Sequence, residues 1–205
     1  MTVLVRDFRS GDEAAFAALN LRWIEEYFGV EESDRRQLEN PGTSLLDPGG
    51  AIVLAELEGR VVGCGALAVP QEAASDGRNW LEVVKMATDP SAQGLGLGSA
   101  ILDRLFEIAK GLGADALWLE TNSRLDAATR LYRRKGFRTL EAHELRHTPY
   151  ARCNLQMVRD LLPRRDYPHP ALSKPVSMDT NARIDRAAQP ALGDESSQWS
   201  LKTTV

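Results

Sequence analysis

Apolar residues recur along the chain with two different periods, and the changes of period mark out its elements. Residues 3–8 alternate and predict a strand. After Ser10-Gly11-Asp12 the spacing lengthens. Phe16, Leu19, Trp23 and Tyr27 recur every three to four residues, which predicts a helix up to Gly29. A more polar helix follows over 32–38 and stops at Asn40-Pro41-Gly42. Residues 51–57 and 60–69, separated by Glu58-Gly59, predict a hairpin, and 80–88 a further strand that ends at Asp89-Pro90. Beyond a glycine-rich turn, residues 99–112 predict a helix with Ile101, Leu105, Ile108 and Leu112 on one face. A short strand over 116–120, a helix over 125–135 capped by Gly136, and strands over 137–140 and 151–158 complete the pattern.

The resulting order is β-α-α-β-β-β-α-β-α-β-β. It combines a meander with one clear β-α-β crossover. That predicts an α+β (mixed α/β) fold, with a central mixed, mostly antiparallel sheet and helices on both faces. From Pro163 the composition shifts to scattered prolines among Ser, Asp, Arg and Thr, with no apolar period. Such a stretch buries too little surface to offset its ordering entropy, so the expected organisation is one domain over 1–162 and a flexible tail over 163–205.

Composition narrows the partners. The 205-residue chain is 43% apolar and 26% charged, the balance of a soluble globular protein. Its formal net charge of −4 argues against nucleic acid as the main partner, since tracking phosphates needs clustered positive charge. No apolar run is long enough for a membrane span, and the first residues lack a signal-peptide pattern, so a cytoplasmic protein is expected. Cys64 and Cys153 both sit in apolar strand-like runs and read as buried, reduced thiols. His143 and His147 lie in a polar stretch with no helix to align them, so no metal site is expected.

The informative stretch is Asp89-Pro-Ser-Ala-Gln-Gly-Leu-Gly-Leu-Gly-Ser99, set between a predicted strand and a predicted helix. Gly94, Gly96 and Gly98 let backbone approach a ligand closely, and the amides of Leu95, Leu97 and Ser99 converge with theirs at a helix N-terminus. Free amides and the helix dipole there suit a pyrophosphate. A dinucleotide fold is the rival, and Glu120 stands near its usual acid spacing. Two things count against it. The third glycine of the GxGxxG pattern is missing, and the turn follows some 88 residues of other structure.

Gln93-x-x-Gly96-x-Gly98, after a strand ending Met86-Ala87-Thr88, resembles the cofactor signature of the Gcn5-related N-acetyltransferase (GNAT) superfamily. Leu131-Tyr132-x-x-x-Gly136-Phe137 looks like that family's second fingerprint, and Arg6-x-Phe8-x-x-x-Asp12 is similar to its usual opening. The resemblance spans residues 3–159. It implies an acetyltransferase with acetyl-CoA as co-substrate and no metal. It further implies that the backbone of Met86, Ala87 and Thr88 pairs with the pantetheine arm. The amides from Gly94 to Ser99 would hold the pyrophosphate, and Tyr132 would lie near the thioester sulfur. The family often carries Asn seven residues before that tyrosine. Here the position is Leu125, and nearby Asn122 is the substitute to consider.

Acetyl transfer to an amine needs a base, an oxyanion donor and an acid for the leaving thiolate. Glu82 and Glu120, on strands flanking the crevice, are the candidate bases, and Tyr132 the candidate acid. The alternative roles are an ion-paired carboxylate for each Glu and a packed ring for Tyr132. Trp23, Tyr27 and Phe28, with the 40–50 loop and the region of Tyr150, are expected to wall the site of an amine-bearing acceptor. A homodimer is compatible with this reading. A non-catalytic acyl-CoA sensor would use the same glycine turn without needing the base or the acid.

Overall fold

The computed structural model describes residues 3–162 of the chain. The expected tail over 163–205 lies outside the described residues. Strand β1 (Val3–Asp7) leads to helices α1 (Glu13–Tyr27) and α2 (Glu32–Glu39), then strands β2 (Ala51–Leu57), β3 (Arg60–Ala68) and β4 (Trp80–Thr88). Helix α3 (Leu97–Gly111), strand β5 (Ala116–Thr121), helix α4 (Asp126–Arg134) and strands β6 (Arg138–Thr139) and β7 (Leu155–Asp160) follow. This is the order that the apolar periods predict.

Boundaries shift where backbone chemistry overrides periodicity. Helix α3 begins at Leu97 because Gly96, at φ 72°, turns the chain directly into it. Leu112 lies beyond the end of α3 and is 46% exposed, so it is not part of the buried face. Leu102, Phe106 and Ala109 join Ile101 and Leu105 there instead. A π-helical turn, Gly42–Leu46, which periodicity does not reveal, buries Leu45. Strand β7 begins at Leu155, because residues 151–154 form a turn, and this places Cys153 in the turn and not in a strand. Cys64 is buried within β3, as expected.

The strands form one seven-stranded sheet in the order β1-β2-β3-β4-β5-β7-β6, and only β4 and β5 run parallel. Alternation sends β2 side chains to both faces. Val53 and Ala55 pack with Ile101, Leu105 and Phe106 of α3, whereas Ile52 and Leu54 pack with Phe16 and Ile24 of α1. Each face therefore has its own core.

The register of β3 on β4 slips in the middle. Cys64 faces Ala87 but Ala66 faces Val84, so Lys85 and Met86 together oppose the single residue Gly65. A Cβ on Gly65 would stand 2.5 Å from Met86 Sδ and 2.7 Å from Ile101 Cγ2. Glycine at this point lets α3 settle against the bulge. No helix among the described residues is long and apolar enough to cross a membrane.

Gly65→Ala is expected to lower stability by about 1–3 kcal/mol, since Ile101 is a stiff helical side chain that cannot retreat. Gly29→Ala, where a Cβ meets open space, is the matched control and should be near neutral. Equal denaturation midpoints for the two variants would contradict this packing.

Candidate active site

Strands β4 and β5 hydrogen-bond only where Trp80, Leu81 and Glu82 face Ala116, Leu117 and Trp118. Beyond Glu82 they part. The gap leaves the β5-facing edge of β4 without a strand partner from Val83 to Thr88, and all six residues line a cavity of about 740 Å³. That volume is in the range of small-molecule and cofactor sites. The cavity passes between the strands and reaches both faces of the sheet. Trp23, Tyr27 and Phe28 line it on the α1 face, and Leu131 and Tyr132 of α4 on the other.

The glycine turn closes one end. Gly94 (φ 82°) and Gly96 (φ 72°) are left-handed, with open space where a side chain would stand. Gly98 has another task. A Cβ there would meet Leu131 Cδ2 at 2.9 Å, so its absence lets α4 pack on the first turn of α3. Gly96 caps α3 without a side-chain hydrogen bond, and no acceptor among the described residues takes the amides of Leu97, Gly98 and Ser99. Unpaired amides, a helix dipole and open space above two glycines fit a pyrophosphate group. Gln93, Gly94, Gly96, Leu97, Gly98 and Ser99 all line the cavity, whereas Leu95 points out, 45% exposed.

Glu82 points away from Leu81 and Val83, which belong to the α3 core, and so faces the α1 side. Burial, reinforced by the like charge of Glu120, pushes its carboxyl up to about 8, against the pull of Lys85 and Arg146. Glu120 is also raised by burial, though Thr148 Oγ1 and Gln156 Nε2 each donate to it at 2.8 Å and resist the shift. Tyr132 is buried on the α4 side, edge-on to Phe137 at 5.8 Å. Burial pushes its hydroxyl up to about 12, so it stays protonated at neutral pH. Asn122 lines the cavity with its amide already bonded: it donates to Arg152 O at 2.6 Å and accepts from Arg124 N at 2.9 Å.

Sequence reasoning missed one cluster. The bulge turns Lys85 to the same face as Val84, and its Nζ donates to Asp34 Oδ1 at 2.8 Å and to Tyr150 OH at 3.2 Å. Arg152 grips both Asp34 oxygens at 2.6 and 2.8 Å, and also reaches Glu31 at 3.1 Å. The Asp34 side chain is fully buried. Burial would raise its carboxyl, but the bonds from Arg152 and Lys85 outweigh that and hold it below the usual carboxylate range. Burial conversely lowers Lys85, with Asp34 opposing. Two signals were present: a lysine inside the apolar run Val83-Val84-Lys85-Met86-Ala87, and Glu31 and Asp34 at the spacing of a reciprocal cap on α2. Nothing local marks Arg152.

An amide cradle, an open strand edge and the carboxyls of Glu82 and Glu120 line one cavity. The chain matches the acetyltransferase (GNAT) family over residues 16–137, more than half its length, and it belongs to that family. It is 34% identical over 143 residues to a mycothiol acetyltransferase of Sanguibacter keddieii. That match takes in 66% of this chain and 43% of that protein, so the chain spans less than half of this relative. It is 31% identical over 116 residues to an IAA acetyltransferase of Azospirillum brasilense, covering 57% of this chain and 70% of the relative. The fold is shared with a GNAT superfamily phosphinothricin acetyltransferase from Sinorhizobium meliloti, solved in complex with acetyl-CoA. The TM-score is 0.63 at 21% identity, over 83% of this chain and 98% of that one.

Asp34→Ala leaves the buried Lys85 without a carboxylate and Arg152 with Glu31 alone, and is expected to cost about 3–5 kcal/mol. A denaturant titration checks it, and a midpoint within experimental error of the parent would mean that the cluster is open to water.

Proposed function

We propose that the protein is an N-acetyltransferase that moves an acetyl group from acetyl-CoA to a primary amine of a small molecule or peptide. One observation carries this reading: the open β4 edge, the amide cradle of α3 and the Glu82–Glu120 pair share a single cavity through the sheet. When bound, acetyl-CoA supplies a thioester whose carbonyl carbon accepts the amine. The residues divide the remaining work. The amides from Gly94 to Ser99 hold the pyrophosphate, and the backbone of Met86, Ala87 and Thr88 pairs with the pantetheine arm. Gln93 lies at the mouth of that cradle.

An amine arrives as an ammonium ion and must lose a proton. Glu82, on the α1 side, takes it directly or through water, and Glu120, held by Thr148 and Gln156, raises the proton affinity of Glu82 by its charge. Tyr132, on the opposite side, holds the proton that the departing thiolate takes. A bare acyl-CoA sensor would share the cradle but leave the two half-buried carboxyls without a task. The reading places the activity in residues 1–162 and the protein in the cytoplasm, where two free thiols, Cys64 and Cys153, are in keeping with a reducing milieu.

Acetyl-CoA at about 100 times its dissociation constant should stabilise the protein by about 2.7 kcal/mol. Gly96→Asp should remove that gain, because a carboxylate would stand among the phosphates. Thermal melts with acetyl-CoA and with NAD check this; a shift with NAD alone would sink the assignment.

The rate should also follow the ionisation of Glu82. Below pH of about 8 this carboxyl is protonated and cannot accept a proton; above it the base is free. kcat/KM should therefore rise with an inflection near pH 8, and Glu82→Gln should abolish that inflection. A profile unchanged in the variant would move the base role to Glu120 or to water.

A further inference from the structure

The half of the cavity on the α1 face carries an uneven set of charges. Trp23 and Phe28 meet edge-on with centroids 6.1 Å apart, and Tyr27 completes an aromatic wall, 57% exposed. Glu82 and Glu120 face this half. Two cations line it, Lys85 and Arg152, and both are already matched by Asp34 and Glu31, while Arg146, outside the lining, acts on both carboxyls from over the rings of Trp80 and Trp118. The Arg152 guanidinium also lies over the rings of Tyr150 at 4.5 Å and Phe28 at 6.0 Å, so its faces are taken as well.

An acid group on the acceptor would therefore have to displace the fully buried Asp34. It would also stand beside Glu120 and, above about pH 8, beside the ionised Glu82 as well, and such like-charge approach costs several kcal/mol. The remaining cations on the cavity wall are Arg124 and Arg134. They belong to the segment around α4, which packs on the start of α3 through Leu131 and Gly98, on the side of the amide cradle.

Resting on the N-acetyltransferase reading, we propose that the acceptor is an apolar primary amine without an acid group, of the arylalkylamine class. Its ammonium is drawn to Glu82 and Glu120, and its ring lies against the aromatic wall of α1. In the transfer the amine nitrogen forms the new C–N bond as the thioester C–S bond breaks. One ammonium proton passes to Glu82 before attack; the thiolate takes a proton from Tyr132, the second proton shed by the nitrogen as the amide forms restores Tyr132, and the products are an N-acetyl amide and free coenzyme A.

The test compares phenethylamine with phenylalanine, which differ by one carboxylate, at saturating acetyl-CoA and above about pH 8, where Glu82 is ionised. kcat/KM should favour phenethylamine by at least about 100-fold, the factor that several kcal/mol of like-charge repulsion provides. Tyr27→Ala alters an exposed position and should fold. It should raise the KM for phenethylamine about tenfold, the scale of one lost aromatic contact, and leave the KM for acetyl-CoA level. Equal or faster turnover of phenylalanine would overturn the proposal while leaving the N-acetyltransferase reading intact. An unchanged KM for phenethylamine in Tyr27→Ala would overturn it too. Binding of acetyl-CoA with thiol release from neither amine would sink both readings.

Discussion

The bulge at Lys85 is the constraint on which the site depends. Parallel strands in a continuous ladder would share hydrogen bonds along their whole length, and no ligand could enter between them. Here β4 carries one residue more than β3 can match, and it parts from β5 after three paired residues. The parting frees a strand edge inside the molecule, where an exposed edge cannot invite another chain. Lys85 sits at φ 55°, an uncommon backbone for a lysine, and the buried bonds of its Nζ to Asp34 and Tyr150 hold it there. Gly65 is the counterpart across the ladder.

The gap also separates the chemical tasks. Alternation along β4 and β5 sends Leu81, Val83, Leu117 and Leu119 to the α3 core, and Glu82 and Glu120 the other way. Tyr132 approaches from the α4 side. In the proposed reaction, the proton acceptor and the proton donor thus stand on opposite faces of one sheet, with the reacting group able to lie between them. Both have raised proton affinities through burial, which suits a carboxyl asked to take a proton and a hydroxyl that must stay protonated until a thiolate needs it. Asp34 works differently. It neutralises two cations, Lys85 and Arg152, and ties α2 to β4 and to the turn before β7.

Much of this was legible along the chain. The element order follows from apolar period, and the cradle from glycines between a strand and a helix. The aim of Glu82 away from the α3 core follows from its place between Leu81 and Val83. Other features were not. Gly98 reads like its two neighbours in the turn, yet it serves packing against Leu131, and only the approach of α4 assigns that role. Cys153 reads as strand, but Tyr150 and Arg152 are drawn toward Asp34, and β7 can begin only after the turn they form.

The sequence by itself determined the order of strands and helices, the face to which most of their apolar residues turn, and the amide cradle at α3. These depend on neighbours within a few positions, where periodicity and backbone preference act. The tertiary structure alone decided the register slip that opens the sheet, and the meeting of Asp34, Lys85 and Arg152 across more than a hundred residues. Such pairings depend on which elements become neighbours. A buried charge is stable only when its partner arrives from elsewhere in the fold, and no local pattern records where that partner will be.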